Sequence, residues 1–199
     1  PLSSIPRILR FGPPQTDTAT LPRSIPNPAI ENTAPAADSF VDNIANGIAS
    51  ASPDVDSVLI VTGDLPMLTF AAVNDLVAQA EAVHADVVYP IIPKDSCERA
   101  FPGGKRTYVT LREGTFTGGN GVVAARNFVE LRRDLIRRLF DARKNPLKLA
   151  GMFGLSFIFG LLTRRLTLPD LEARAGEIIG GRVGAVVSLY PELAFDVDK

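Results

Sequence analysis

The chain has 199 residues, 46% of them apolar, which suits one domain with a substantial core. Its formal net charge is −1 and no long block of like charges occurs, which excludes a nucleic-acid binder working by bulk electrostatics. A single cysteine, Cys97, and a single histidine, His84, exclude an internal disulfide framework and a Cys/His zinc site.

Taken in chain order, Pro1 to Pro6 have neither the basic start nor the apolar core of a secretory signal. Residues 1–36 read as an irregular N-terminal segment with one candidate strand, Ile8–Phe11, and 37–199 as the domain proper. Ser39 with Asp42 three residues on forms a capping signal for a helix over Phe40–Ala49. Val58–Val61 is a continuous apolar run between Asp56 and Gly63, as a buried parallel strand requires. Thr69 can cap a helix that runs to about Val83, with His84 at its end. Ala85–Ile92 is a second buried strand. Thr107–Leu111 and the segment from Thr115 onward suggest two strands joined at Glu113-Gly114.

Asn127–Lys144 reads as one long helix whose Arg132, Arg133, Arg137 and Arg138 form a solvated face. Leu149–Leu162 is the longest uncharged run and is shorter than the roughly 20 residues of a bilayer span. It reads as one or two buried helices. Because Arg164 and Arg165 follow it, a membrane-surface helix is the alternative. Thr167 opens a further helix with Pro169 and Asp170 in its first turn. Arg182–Leu189 is a last strand. Strands alternating with helices predict a mostly parallel sheet covered on both faces. The expected location is the cytoplasm, with Cys97 a reduced thiol that has no task.

Three constellations bear on chemistry. In Val58-Leu59-Ile60-Val61-Thr62-Gly63-Asp64-Leu65-Pro66, an apolar strand delivers one carboxylate at its C-terminal end, the edge where open α/β sheets bind ligands. Pro66 stiffens that turn. Mg²⁺ takes few carboxylates and several phosphate or water oxygens, so a single Asp64 suits it; a turn aspartate that only caps the loop is the alternative. Asp196 and Asp198 are two apart, so an extended backbone points both to one side; an acidic tail is the alternative. Thr117-Gly118-Gly119-Asn120-Gly121 permits close approach of a ligand to the backbone, with Asn120 as donor and acceptor, or is an ordinary turn. Lys105 and Arg106 are a basic pair able to hold a phosphate or to remain surface charges.

Taken together, these residues resemble the MobA-like NTP transferase family. The resemblance is carried by Asn43 and Gly47 in the first helix, Thr62 to Thr69, Tyr89-Pro90-Ile91, Arg106 to Val109, Thr115 to Asn120, and Asp196-Val197-Asp198-Lys199. It implies a three-layer Rossmann-like fold of the glycosyltransferase-A type, with a mostly parallel sheet and helices on both faces. The implied reaction is attack of a small phosphorylated acceptor on the α-phosphorus of an NTP, with release of pyrophosphate and Mg²⁺ as cofactor. Asp64 and Asp198 would be catalytic and bind the metal, with Asp196 beside them. Asn43, Gly47 and Asp64 would contact the nucleotide. Gly118, Gly119, Asn120, Lys105 and Arg106 would meet the acceptor. Neither nucleic acid nor a transmembrane span is expected.

Family members open on a strand and a glycine-rich, basic phosphate loop, and no such loop precedes Ile8 here. The domain is therefore expected to be N-terminally incomplete, with these residues inactive by themselves. The other functional readings are a non-catalytic nucleotide-binding or regulatory domain, and a glycosyltransferase of the same fold type. The latter usually carries Asp-x-Asp where this chain has Asp64-Leu65-Pro66.

Overall fold

A computed structural model of the protein describes residues 8–9, 34–142 and 151–197. The expectations for the rest of 1–33, for the end of the Asn127–Lys144 helix, for the start of the Leu149–Leu162 run and for Asp198 lie outside the described residues.

The described strands are β1 (Ile8–Leu9), β2 (Ser57–Val61), β3 (Val87–Pro93), β4 (Val109–Leu111), β5 (Gly114–Gly118), β6 (Gly121–Ala125) and β7 (Val183–Val187). The helices are α1 (Phe40–Ser50), α2 (Phe70–Val83), α3 (Lys94–Ala100), α4 (Arg126–Leu131), α5 (Arg133–Ala142), α6 (Leu155–Leu162) and α7 (Leu168–Ile179), with a 3-10 turn at Pro191–Ala194. Capping explains several starts. The Ser39 hydroxyl accepts from Asp42 N, Thr69 from Ala72 N, and Thr167 from Asp170 N. At Thr167 the Asp170 carboxylate also accepts from the Thr167 N–H, completing a capping box. His84 ends α2 in the left-handed region, φ 52°.

The expected mostly parallel, Rossmann-like sheet is overturned. The fold is α/β, but the sheet is mostly antiparallel. Its strand order is β1-β2-β6-β3-β5-β4, with β7 on β3. Among the described strands only β1–β2 and β3–β7 are parallel ladders. The β2–β6, β3–β6, β3–β5 and β4–β5 ladders are antiparallel. All four involve the β5–β6 segment, which runs back along β3, with β6 lying between β2 and β3 and β5 between β3 and β4. Its register explains how one stretch serves as two strands. Ile91 lies opposite Gly118 and Val88 opposite Val123, so Gly119 and Asn120 are extra residues bulged out of the ladder.

Both faces are nevertheless covered by helices, because β2 alternates between two cores. Leu59 and Val61 pack with Ala72, Val73 and Leu76 of α2. Val58 and Ile60 pack with Ile44 and Ile48 of α1. Each such side chain contributes about 1.5–3 kcal/mol when fully buried. A third cluster joins Ile91, Leu111 and Phe116 to Leu161, Leu166 and Leu168 around α6 and α7.

Two helical expectations also change. The long helix is broken at Arg132, whose N–H closes back on the Phe128 carbonyl at 3.1 Å. α3 was not expected at all. The arginine face is solvated, as read, and partly tethered. Arg137 donates to Asp42 at 2.7 Å and Arg132 to the Gly180 carbonyl at 2.9 Å. Among the described residues no helix is long and apolar enough to cross a membrane.

Candidate functional site

The C-terminal ends of β2, β3 and β7 point to one edge of the sheet. Three loops meet there: 62–69 after β2, the Gly119–Asn120 bulge, and 188–197 after β7. The first is fixed by Leu65, which is buried in the α2 core and leaves Asp64, Pro66 and Met67 exposed. Asp64 therefore stands at the strand end in solvent, as its position after an apolar run predicts.

The bulge ties the other two loops together. Thr62 N–H donates to the Asn120 carbonyl at 3.1 Å, and Asn120 N–H donates to the Leu193 carbonyl at 2.7 Å. Gly119 N–H donates to the Pro90 carbonyl at 2.9 Å. The Asn120 Nδ2 group is shut from solvent and has no hydrogen-bond partner among the described residues.

Gly118 and Gly119 serve close packing within the protein. A Cβ on Gly118 would run into the Tyr89 hydroxyl, and one on Gly119 would lie 2.9 Å from Pro90 Cγ. Neither glycine has a positive φ. The Tyr89 hydroxyl donates to the Gly119 carbonyl at 2.7 Å. Although the residue is 40% exposed overall, its phenol end is enclosed. Burial raises its pKa above the usual phenol range, against the opposing charge of Arg106.

The terminal segment is anchored by Leu193 and Ala194, both fully buried. The Thr69 hydroxyl donates to Glu192 at 2.8 Å, linking the start of α2 to that turn. Val197 N–H donates to the Asp64 carbonyl at 3.0 Å. Phe195 stacks on Phe101 with ring centroids 3.9 Å apart. Asp196 forms an ion pair with Arg106, the two side chains being 27% and 16% exposed.

The candidate residues thus fall into groups. Asp64, Gly119, Asn120 and Asp196 lie on the three converging loops, with Gly118 at the end of β5. Arg106 reaches them through Asp196, while Lys105 is exposed beside it. Asn43 is committed locally: its amide accepts from Ala37 N and donates to the carbonyls of Ala37 and Ser39. Gly47 is buried on α1. Asp198 lies outside the described residues. No three of His, Cys, Asp and Glu come together as a metal cage among the described residues.

Cys97 is buried and its pKa is raised by burial first, with Arg106 opposing. Sequence reasoning missed Glu192 and the Val197 amide. Nothing in their local sequence marks a bond to residues more than a hundred positions away.

No family model matches the chain, and no curated protein matches it. Among solved structures it is similar to a hypothetical transferase from Thermus thermophilus, with 40% identity and a TM-score of 0.75. The match covers 81% of this chain and 68% of that one. At that identity and coverage the chain belongs to the same family as the Thermus thermophilus protein.

Proposed function

We propose that the protein is a transferase, and more narrowly a nucleotidyltransferase. It would move a nucleoside monophosphate from an NTP to a small phosphorylated acceptor and release pyrophosphate. The observation that carries this reading is the meeting of the exposed strand-end Asp64 with the terminal segment, through the Val197–Asp64 hydrogen bond. The family relation to a hypothetical transferase supports the broader half of the reading.

The donor set bears on Mg²⁺ directly. A lone exposed carboxylate at the strand end, Asp64, suits an ion that takes most of its oxygens from a phosphate chain and from water. Asp64 would hold it together with Asp198. Asp196 is committed to Arg106. When bound, Mg²⁺ would neutralise charge on the triphosphate.

The chain's own contribution is positioning, the larger part of catalysis for phosphoryl-type transfer. Asn120 contributes through its backbone, which ties the strand-end loop at Thr62 to the terminal segment at Leu193. The exposed Lys105 offers its charge to the acceptor phosphate. Asn43 and Gly47 would border the nucleotide through α1, with the Asn43 side chain bracing the helix entry. No side-chain nucleophile is required, in keeping with a buried Cys97 and a His84 at a helix end.

The test is to titrate each common NTP into the protein with Mg²⁺ and then with EDTA, and to follow α-phosphate label onto a panel of phosphorylated acceptors. Mg²⁺-dependent retention with transfer of label supports the reading. Retention without transfer to any acceptor favours a binding domain. Transfer of sugar from a nucleotide sugar favours a glycosyltransferase.

A further inference from the structure

The structure points to Arg106 as a positioning residue of this site. We propose that its ion pair with Asp196 fixes the terminal segment against Asp64, and that it does not contact the acceptor. The proposal rests on the metal-dependent reading above and reassigns two of its side chains.

Four observations carry it. The guanidinium and the Asp196 carboxylate are both mostly enclosed and face each other. The space bounded by Cys97, Phe101, Tyr108 and Phe195 beside Arg106 holds only about 10 Å³. That is about one water at most, with no room for a phosphate. The loop bearing Arg106 grips the terminal segment a second time through the Phe101–Phe195 stack. Gly104 belongs to that grip, since a Cβ there would meet both the Phe101 carbonyl and the Phe195 ring at 3.2 Å. Finally, the residue after Asp196 is Val197, whose amide binds the Asp64 carbonyl.

Consecutive residues 195, 196 and 197 are therefore held by a ring stack, an ion pair and a backbone hydrogen bond. Removing either charge of the Arg106–Asp196 pair leaves the other enclosed and uncompensated, so the segment would shift rather than keep it there. Lys105, on the same loop, is exposed and has no ion pair among the described residues, which leaves its charge to meet a phosphate.

The experiment uses the full chain with Mn²⁺ and inorganic pyrophosphate as probes. Bound Mn²⁺ is read by electron paramagnetic resonance, and folding is checked by thermal melting. Arg106→Gln and Asp196→Asn should each weaken Mn²⁺ binding by about tenfold or more, as loss of an outer-sphere partner does. The charge-swapped double variant, Arg106→Asp with Asp196→Arg, should recover most of that loss. An unchanged or tighter Mn²⁺ affinity in Arg106→Gln overturns the proposal, the tighter value marking Asp196 as a ligand. A folded swap variant as weak as the single variants overturns it as well.

Should the charge variants fail to fold, Phe101→Leu loosens the same grip while keeping both charges. Weaker Mn²⁺ binding then supports the proposal, and unchanged binding overturns it. A wild-type protein that binds no Mn²⁺ with pyrophosphate sinks the underlying reading as well. Wild-type binding that Arg106→Gln leaves intact sinks only the role of Arg106.

Discussion

The backbone amide of Val197 donates to the carbonyl of Asp64 at 3.0 Å, joining the end of β2 to the segment that follows β7. Residues far apart in sequence are thereby brought into one loop cluster at one edge of the sheet. Val197→Pro removes the donor and should cost about 1 kcal/mol in Mn²⁺–pyrophosphate binding, a several-fold loss. Val197→Ala keeps the N–H and should bind like wild type. Calorimetry on both variants checks this, and equal loss in the two would assign the effect to the side chain.

Gly119 is packed against Pro90, Ile92 and the Leu193 carbonyl. Gly119→Ala forces a methyl into that space and should destabilise the fold by about 1–3 kcal/mol, as overpacking does. Denaturant unfolding measures it. A stability equal to wild type would mean that the bulge adjusts freely.

The capping box at Thr167 joins the hydroxyl and backbone of one residue to the carboxylate of Asp170. Thr167→Ala should cost about 1 kcal/mol. The Thr167 hydroxyl, followed by its N–H, lowers the Asp170 pKa below 3.8, and the Ser39 hydroxyl does the same for Asp42. Both folded pKa values are depressed, so their stabilisation is complete above the ordinary carboxylate range and is lost as pH falls through the folded values. The gap between the melting curves of wild type and Thr167→Ala should therefore narrow on acidification through the carboxylate range without closing, because the hydroxyl still accepts from the Asp170 N–H when the carboxyl is protonated. A gap that does not change with pH contradicts the assignment.

Burial raises the Cys97 pKa, so the thiol should resist alkylation in the native protein and react on unfolding. Mass spectrometry after iodoacetamide at mildly alkaline pH tests this, rapid native labelling being the contrary result.

Much of the layering was legible in the sequence. Val58–Val61 is apolar at every position because alternate residues enter the α1 and α2 cores. Ser39, Thr69 and Thr167 mark helix starts through hydroxyls that do cap. Strand direction was not legible. Gly121–Ala125 is as apolar as a parallel strand, and burial on both faces carries no sign of polarity. Its reversal is set by pairing with β2 and β3 across the Gly119–Asn120 bulge. α3 escaped because Pro93 gives it no side-chain cap and its short span has no apolar period. At the site, the exposed strand-end position of Asp64 follows from local pattern. The Arg106–Asp196 pair does not, since its partners are 90 residues apart and meet only through the tertiary fold.

The most direct measurement is a calorimetric titration of inorganic pyrophosphate into wild type and Asp64→Asn, with Mg²⁺ and again with EDTA. Wild type should bind only with Mg²⁺, and Asp64→Asn should lose more than about a hundredfold, beyond the usual cost of an outer-sphere partner, with its melting temperature unchanged. Binding by Asp64→Asn as tight as wild type, or no Mg²⁺-dependent binding by wild type, would contradict a phosphate-transfer centre at this carboxylate.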